Sequence, residues 1–124
     1  MASSPTQKSI AHLKNLGYMV GIVEHYNAFS RRRHDLFNFI DILAVHPKKK
    51  QTLGVQTTTQ RNISNHMNKM LPMEKVRLWL ESGNLLEIHG WVKRGKKGKR
   101  KLWELDCRKI TLKDLKKSKL LLFD

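Results

Sequence analysis

Asp41 stands inside Leu36 to Val45, a run that is otherwise almost wholly apolar: Leu36, Phe37, Phe39, Ile40, Ile42, Leu43, Ala44, Val45. An ionised carboxylate enclosed by such residues costs several kcal/mol unless a cation or strong hydrogen-bond donors compensate it. Pro47-Lys48-Lys49-Lys50 reads as a turn, and Thr52 to Thr59, rich in β-branched residues, as the returning strand of a hairpin. With a two-residue loop at Lys48 and Lys49, Asp41 falls opposite Gln56, and Thr58, two residues further on, projects from the same sheet face. Asp41, Gln56 and Thr58 then form a polar triangle on hydrophobic strands. Such a triangle is either a structural knot, in which Gln56 and the backbone satisfy Asp41, or a place where a buried carboxylate meets a cation.

The elements that must position this triangle follow from spacing. Ile10, Leu13 and Leu16 give Thr6 to Leu16 the period of a short amphipathic helix, with Gly17 as its stop. Tyr18 to Tyr26 reads as a strand through Val20, Ile22 and Val23, and the turn-prone Asn27 to His34 follows, placing Arg31, Arg32 and Arg33 in an exposed loop. Leu36 to Val45 is apolar on both faces, as in a strand covered on both sides. After Thr59, Asn62 or Ser64 offers a cap for a helix that breaks near Leu71. Pro72 suits the first turn of a second helix to Ser82, which Gly83 ends. Leu85 to Lys93 and Leu102 to Cys107 read as two further strands, and Thr111 with Asp114 has the spacing of a capping box. The 124 residues are expected to form one domain with a modest core.

Charge narrows the partner. There are 25 Lys and Arg against 10 Asp and Glu, a net +15. Self-repulsion of this size calls for a polyanion, and basic charge at this density draws phosphate backbones and gains affinity from counterion release. The cations cluster: Lys93, Arg94, Lys96, Lys97, Lys99, Arg100 and Lys101 are seven of the nine residues of a glycine-punctuated loop. That loop and Arg31 to Arg33 are the expected nucleic-acid contacts, the alternative for the loop being an ordinary exposed hairpin tip. No basic amphipathic helix argues for a membrane surface.

The order helix, strand, hairpin with an Asp in mid-strand, then a polar pair at i and i+2 followed by a helix, resembles the PD-(D/E)xK nuclease superfamily, which includes Holliday junction resolvases. Asp35-Leu36-Phe37-Asn38-Phe39-Ile40-Asp41 with Gly54-Val55-Gln56-Thr57-Thr58 is similar to small phage-type members, and the resemblance spans Ser9 to Thr59. Trp79-Leu80 and Gly83-Asn84 through His89-Gly90-Trp91 continue the same pattern. The resemblance implies an α/β, restriction-endonuclease-like core, a central mixed sheet flanked by helices, with a C-terminal β-hairpin. It implies a metal-dependent endonuclease acting on DNA, structure-specific in the manner of the Holliday junction resolvases, that binds Mg²⁺ (or Mn²⁺) at Asp41, and it favours a homodimer. Gln56 stands where the second carboxylate belongs; its amide oxygen ligates a hard cation but brings no negative charge. Thr58 stands where the Lys belongs and orients water without supplying positive charge. Glu24 and Asp35 are compensating carboxylates and Arg61 a compensating cation; alternatively the two acids pair with Arg31 to Arg33 and Arg61 only binds phosphate. A non-catalytic nucleic-acid-binding module on a degenerate nuclease fold is the rival reading. RNA is the lesser expectation, for want of an RNP-type aromatic motif.

Other chemistry is not expected. The histidines lack zinc spacing such as HxxxH and partner cysteines, so no zinc site is assigned. No GxxxxGK[ST] cradle occurs, so no nucleotide cofactor is implied. Cys107, the single cysteine, reads as a packed structural thiol. Trp79 and the face formed by Met67, Met70 and Met73 read as core, while Trp91 and Trp103 flank the basic loop, as core or as platforms for unpaired bases. No apolar run approaches the roughly 20 residues that span a bilayer. Met1 to Gln7 is polar, without a signal core, so a cytoplasmic setting is expected, that of the host if phage-encoded.

Overall fold

Ser4 starts the first helix by a capping box. Its hydroxyl accepts from the Gln7 N–H at 3.2 Å while the Gln7 side chain accepts from the Ser4 N–H at 3.2 Å, and Pro5 occupies the first turn. Helix α1 (Pro5–Asn15) ends before Gly17, which at φ +95° occupies the left-handed region as its stop position requires. The computed structural model describes residues 3–115.

Beyond α1 run β1 (Met19–Ile22), β2 (His25–Asn27), β3 (Arg32–His34), β4 (Ile42–Val45) and β5 (Leu53–Thr59). A 3₁₀ turn (Gln60–Asn62), α2 (Ile63–Met70), α3 (Glu74–Glu81), β6 (Leu85–Arg94) and β7 (Leu102–Ile110) follow. The protein is α/β: a five-stranded mixed sheet in the order β1-β4-β5-β6-β7, with helices against it, and a separate two-stranded sheet of β2 and β3. The pair β5–β6 is parallel, joined by the α2–α3 crossover, and the other ladders are antiparallel. No helix among the described residues is long and apolar enough to cross a membrane.

Alternation along β4 and β5 divides the core. Ile42, Ala44, Leu53 and Val55 meet Leu13 of α1, whereas Phe39, Ile40, Leu86, Ile88 and Ile110 pack with Ile63, Met70, Val76 and Leu80 of α2 and α3. Met70 is core as expected; Met67, Met73 and Trp79 are partly buried against the same cluster. Gln56 and Thr58, buried with the α2–α3 face of β5, are among the few polar side chains enclosed in the protein.

Four expectations about elements are corrected. Leu36 to Val45 is not one strand: residues 36–40 reverse the chain, with Phe37 at φ 55° and Asn38 at φ 74°, and the strand begins at Ile42. Leu36 and Ile40 close the reversal through a pair of backbone hydrogen bonds of 2.8 and 3.0 Å, so the turn buries Phe39 and Ile40 and leaves Phe37 exposed. Tyr18 to Tyr26 breaks after Ile22, and Arg32 and Arg33 lie on β3 while Arg31 alone stays in the turn at φ 54°. Pro72 precedes the helix, whose N-cap is Met73, and Asn62 caps α2 by position without a side-chain bond. The turn between β4 and β5 covers residues 46–52, longer than two residues, yet it is centred as expected, pairing Ile42 with Val55 and Ala44 with Leu53.

Gly90 faces Thr58 across the parallel ladder, and the 3₁₀ turn rests directly on it. A Cβ there would lie 2.9 Å from the Gln60 Cα and would overlap the Ile63 side chain. Gly90→Ala is therefore expected to destabilise the fold by about 2 kcal/mol and lower Tm by roughly 5–10 °C, as thermal unfolding would read.

Candidate functional site

The chain reversal has a chemical consequence: it returns Asp35 to the neighbourhood of Asp41. Glu24, at the exit of β1, comes to the same point, and one carboxylate oxygen from each of Glu24, Asp35 and Asp41 lies within 4.8 Å of the others. A Phe in the left-handed region is costly, and it is the tight turn through Phe37 and Asn38 that allows the approach.

Asp41 is 3% exposed. Although it precedes β4, its backbone is locked between neighbours, donating to the Val55 carbonyl at 2.8 Å and accepting from Val23 N–H at 2.9 Å. Its Oδ2 accepts from Thr57 N–H at 2.7 Å, from Gln56 Nε2 at 2.9 Å and from Thr57 Oγ1 at 3.1 Å. Those donors fix one oxygen and leave the other side of the carboxyl toward Asp35 and Glu24. Burial and a hydrogen bond with Asp35, opposed by the Thr57 N–H, push the Asp41 carboxyl up to about 8, and the negative charges of Asp35 and Glu24 add to the rise. At neutral pH, Asp41 on its own keeps its proton. A group so perturbed, beside two like charges, belongs to the class of residues that cluster at functional sites.

The expected triangle is met in part. The structure brings Asp41 and Gln56 together, but Gln56 meets Asp41 through its nitrogen, so ligation by its oxygen takes a turn of the amide. Thr58 is buried without reaching Asp41, and the hydroxyl that does reach it is that of Thr57, which also meets Thr6 Oγ1 of α1 at 2.8 Å. Arg61 is exposed on the 3₁₀ turn beyond β5. His66 of α2 lies within electrostatic reach of Asp35; partial burial and then Lys69 hold its pKa below the usual value.

The basic segments are distributed around this end of the sheet. Because Gln56 is level with Ile88 in the parallel ladder, the loop after Arg94 leaves the sheet at the end where β5 leads into the 3₁₀ turn. Seven residues of extended chain separate Ile88 from Gly95, about 23 Å. Lys96, Lys97, Lys99, Arg100 and Lys101 are exposed there. Arg94, also exposed, is tied to neighbouring acids of β7: it pairs with Asp106 at 3.1 Å and Glu104 at 3.3 Å. Lys93 Nζ lies 5.5 Å from the centre of the Trp103 ring and Lys8 Nζ 4.0 Å from it, so Trp103 is covered by cations, while Trp91 is buried.

A second cluster was not legible from spacing. Glu87, His89 and Cys107 place ligand-type atoms within 4.8 Å of one another on the α1 side of β6 and β7. His89 bridges Ser9 Oγ and Glu87 Oε1, at 2.9 Å each, and Trp91 Nε1 donates to Ser9 Oγ at 2.9 Å. This network satisfies its own members and fastens α1 to the sheet. Cys107 is exposed, which corrects its expected place as a packed thiol, while desolvation on its sheet side, and then Glu87, push the thiol up to about 12.

Compared with protein-family models, with curated proteins and with solved structures, the chain matches none.

Proposed function

We propose that this protein is a DNA-binding, metal-dependent nuclease that cleaves phosphodiester bonds at Glu24, Asp35 and Asp41. The reading takes the fold as a restriction-endonuclease-like core with a C-terminal β-hairpin, acting by preference on branched DNA and favouring a homodimer. One observation carries it. In a chain with 10 acids against 25 Lys and Arg, charge alone would disperse the acids among cations, yet three from separate segments converge within 4.8 Å. Their oxygens are hard donors, and a cation with bonds of about 2.1 Å holds ligand oxygens up to about 4.2 Å apart, so the cluster fits Mg²⁺ or Mn²⁺ after small side-chain adjustments.

A divalent cation bound by the three carboxylates would supply charge stabilisation to a phosphodiester and acidify water. The chain's own residues do the rest. Gln56 and Thr57 hold Asp41 in one orientation. His66 offers a neutral imidazole as proton acceptor, Thr58 a hydroxyl, and Arg61 a positive charge beyond β5. The basic loop 93–101 tracks the backbone away from the cluster, its reach of about 23 Å matching about seven base pairs of duplex.

A second reading has its own support: Gln56 and Thr58 replace a carboxylate and a Lys, which favours a binding module that has lost the reaction. Incubation of labelled single-stranded, duplex, flap and four-way-junction DNA with Mg²⁺, Mn²⁺ or EDTA, with binding recorded in parallel, separates the two. Metal-dependent cutting supports the nuclease; tight binding with no cutting under either metal assigns the module. In both cases, replacing Lys96, Lys97, Lys99 and Lys101 with Ala is expected to lower the slope of log affinity against log salt by about 2–4. Arg94→Ala, which removes an internally paired cation, is expected to change that slope little.

A further inference from the structure

The hairpin of β2 and β3 belongs to no larger sheet. It pairs His25 with His34, Tyr26 with Arg33 and Asn27 with Arg32, and residues 28–31 form its turn. Two properties set it apart from an ordinary surface loop. It is rooted in the acid cluster, since Glu24 immediately precedes β2 and Asp35 immediately follows β3. Its tip carries Phe29, 103% exposed, with Tyr26 64% exposed on the stem and Arg31 and Arg32 exposed beside it. From His25 to His34 there are three arginines and no acid.

A two-stranded hairpin is marginal in water by itself, so a projecting one is held by its root and by what it binds. An aromatic ring at such a tip adds nothing to the core and presents a π-face and an apolar edge to solvent. The chemistry that rewards both a ring and flanking guanidiniums is a nucleic acid with exposed bases: the ring stacks on a base while the arginines meet phosphates. Within a continuous duplex the bases are stacked on one another, and insertion costs a few kcal/mol per step; at a branch, flap or strand end that cost has already been met.

We propose that the hairpin 25–34 is a wedge that places Phe29 against an unstacked base at a DNA discontinuity. The position of the wedge limits where the discontinuity sits. Five residues separate Glu24 from Phe29, a span of at most about 18 Å, so the unstacked base lies within about five base-pair steps of the acids. The wedge deepens the nuclease reading by naming its substrate class, DNA with unpaired bases beside a duplex, and rests on that reading for the meaning of the acids. Binding by the wedge does not require cleavage.

The test uses the full chain in EDTA. 2-Aminopurine is placed at the branch point of a flap or, as control, within an unbroken duplex, and fluorescence and affinity are measured for wild type, Phe29→Ala, Phe29→Trp and Arg32→Ala. Wild type is expected to change the fluorescence of the branch-point base and to prefer branched DNA. Phe29→Ala is expected to lose that change and about tenfold in affinity for branched DNA, with less than about twofold change on unbroken duplex. Phe29→Trp is expected to restore the affinity. If Phe29→Ala leaves the branched complex unchanged while Arg32→Ala weakens binding to both DNAs, the hairpin is a phosphate arm and the wedge is overturned, with the nucleic-acid reading intact. If Phe29→Ala alters only sedimentation of the protein, the tip is a protein contact and the wedge is again overturned. No binding of wild type to any DNA would remove the proposed function itself, and the wedge with it.

Discussion

Asp41→Asn is expected to lower metal-dependent cleavage by about a thousandfold. The same variant is expected to change DNA affinity by less than about threefold, because phosphate contacts set that affinity and Asp41 makes none of them from its buried position. The substitution is nearly isosteric. Asn keeps an oxygen to accept from Thr57 N–H and Gln56 Nε2 and gains an amide that can donate toward Asp35, so the loss is of charge rather than of fold. Glu24→Gln and Asp35→Asn remove half-buried carboxylates with more freedom to be replaced by water, and smaller losses, about ten- to a hundredfold, are expected. Cleavage rates under single-turnover conditions with Mn²⁺, beside anisotropy titrations in EDTA, make the comparison. Full activity in Asp41→Asn would exclude the acid cluster as the site.

Asp41 and Gln56 were readable because two local rules agree: the hairpin turn is centred at Lys48 and Lys49, and the side-chain period of two then puts both residues on one face. The approach of Asp35 was hidden. Leu36 to Ile40 is apolar at every position but Asn38, and a run folded into a turn carries the same composition as a strand buried on both faces. Asn38, which tolerates the left-handed region, was the one local hint. Strict alternation turns Thr57 toward α1, where its hydroxyl meets Thr6, yet Asp41, just before β4, reaches both the Thr57 N–H and that hydroxyl. Arg94 shows a different limit. Its loss to Glu104 and Asp106 depends on the β6–β7 register, which sets Val92 opposite Glu104 and Gly90 opposite Asp106, and no composition rule carries that information. The Ser9–His89–Glu87 network is likewise tertiary, joining residues 80 apart in the chain.

The pH dependence of stability should carry the imprint of the same carboxyl. Folding raises the Asp41 pKa from 3.8 to about 8. Between those values the unfolded chain has released the proton while the folded chain retains it. The Asp41 contribution is therefore fully present below about pH 4, is lost as pH rises toward about 8, and changes no further above that. His12 and His66 act in the opposite sense. Burial lowers both, so their contribution is present above the unfolded value of 6.5 and is lost as pH falls through their folded values. The difference between wild type and Asp41→Asn isolates the carboxyl. In EDTA the variant is expected to gain Tm relative to wild type between about pH 5 and pH 8 and to match it near pH 4. Mn²⁺ should reverse the comparison, because binding to ionised carboxylates stabilises the folded state and displaces the proton from Asp41. At about a hundred times its Kd the ion is expected to raise the wild-type Tm by up to roughly 10 °C near pH 8, and by much less near pH 5, where protons compete. Asp41→Asn should lose most of that rise at both pH values. A Tm indifferent to Mn²⁺ at about pH 8 would mean that the three acids form a proton-sharing knot rather than a cation site, and would leave the binding module as the function of the fold.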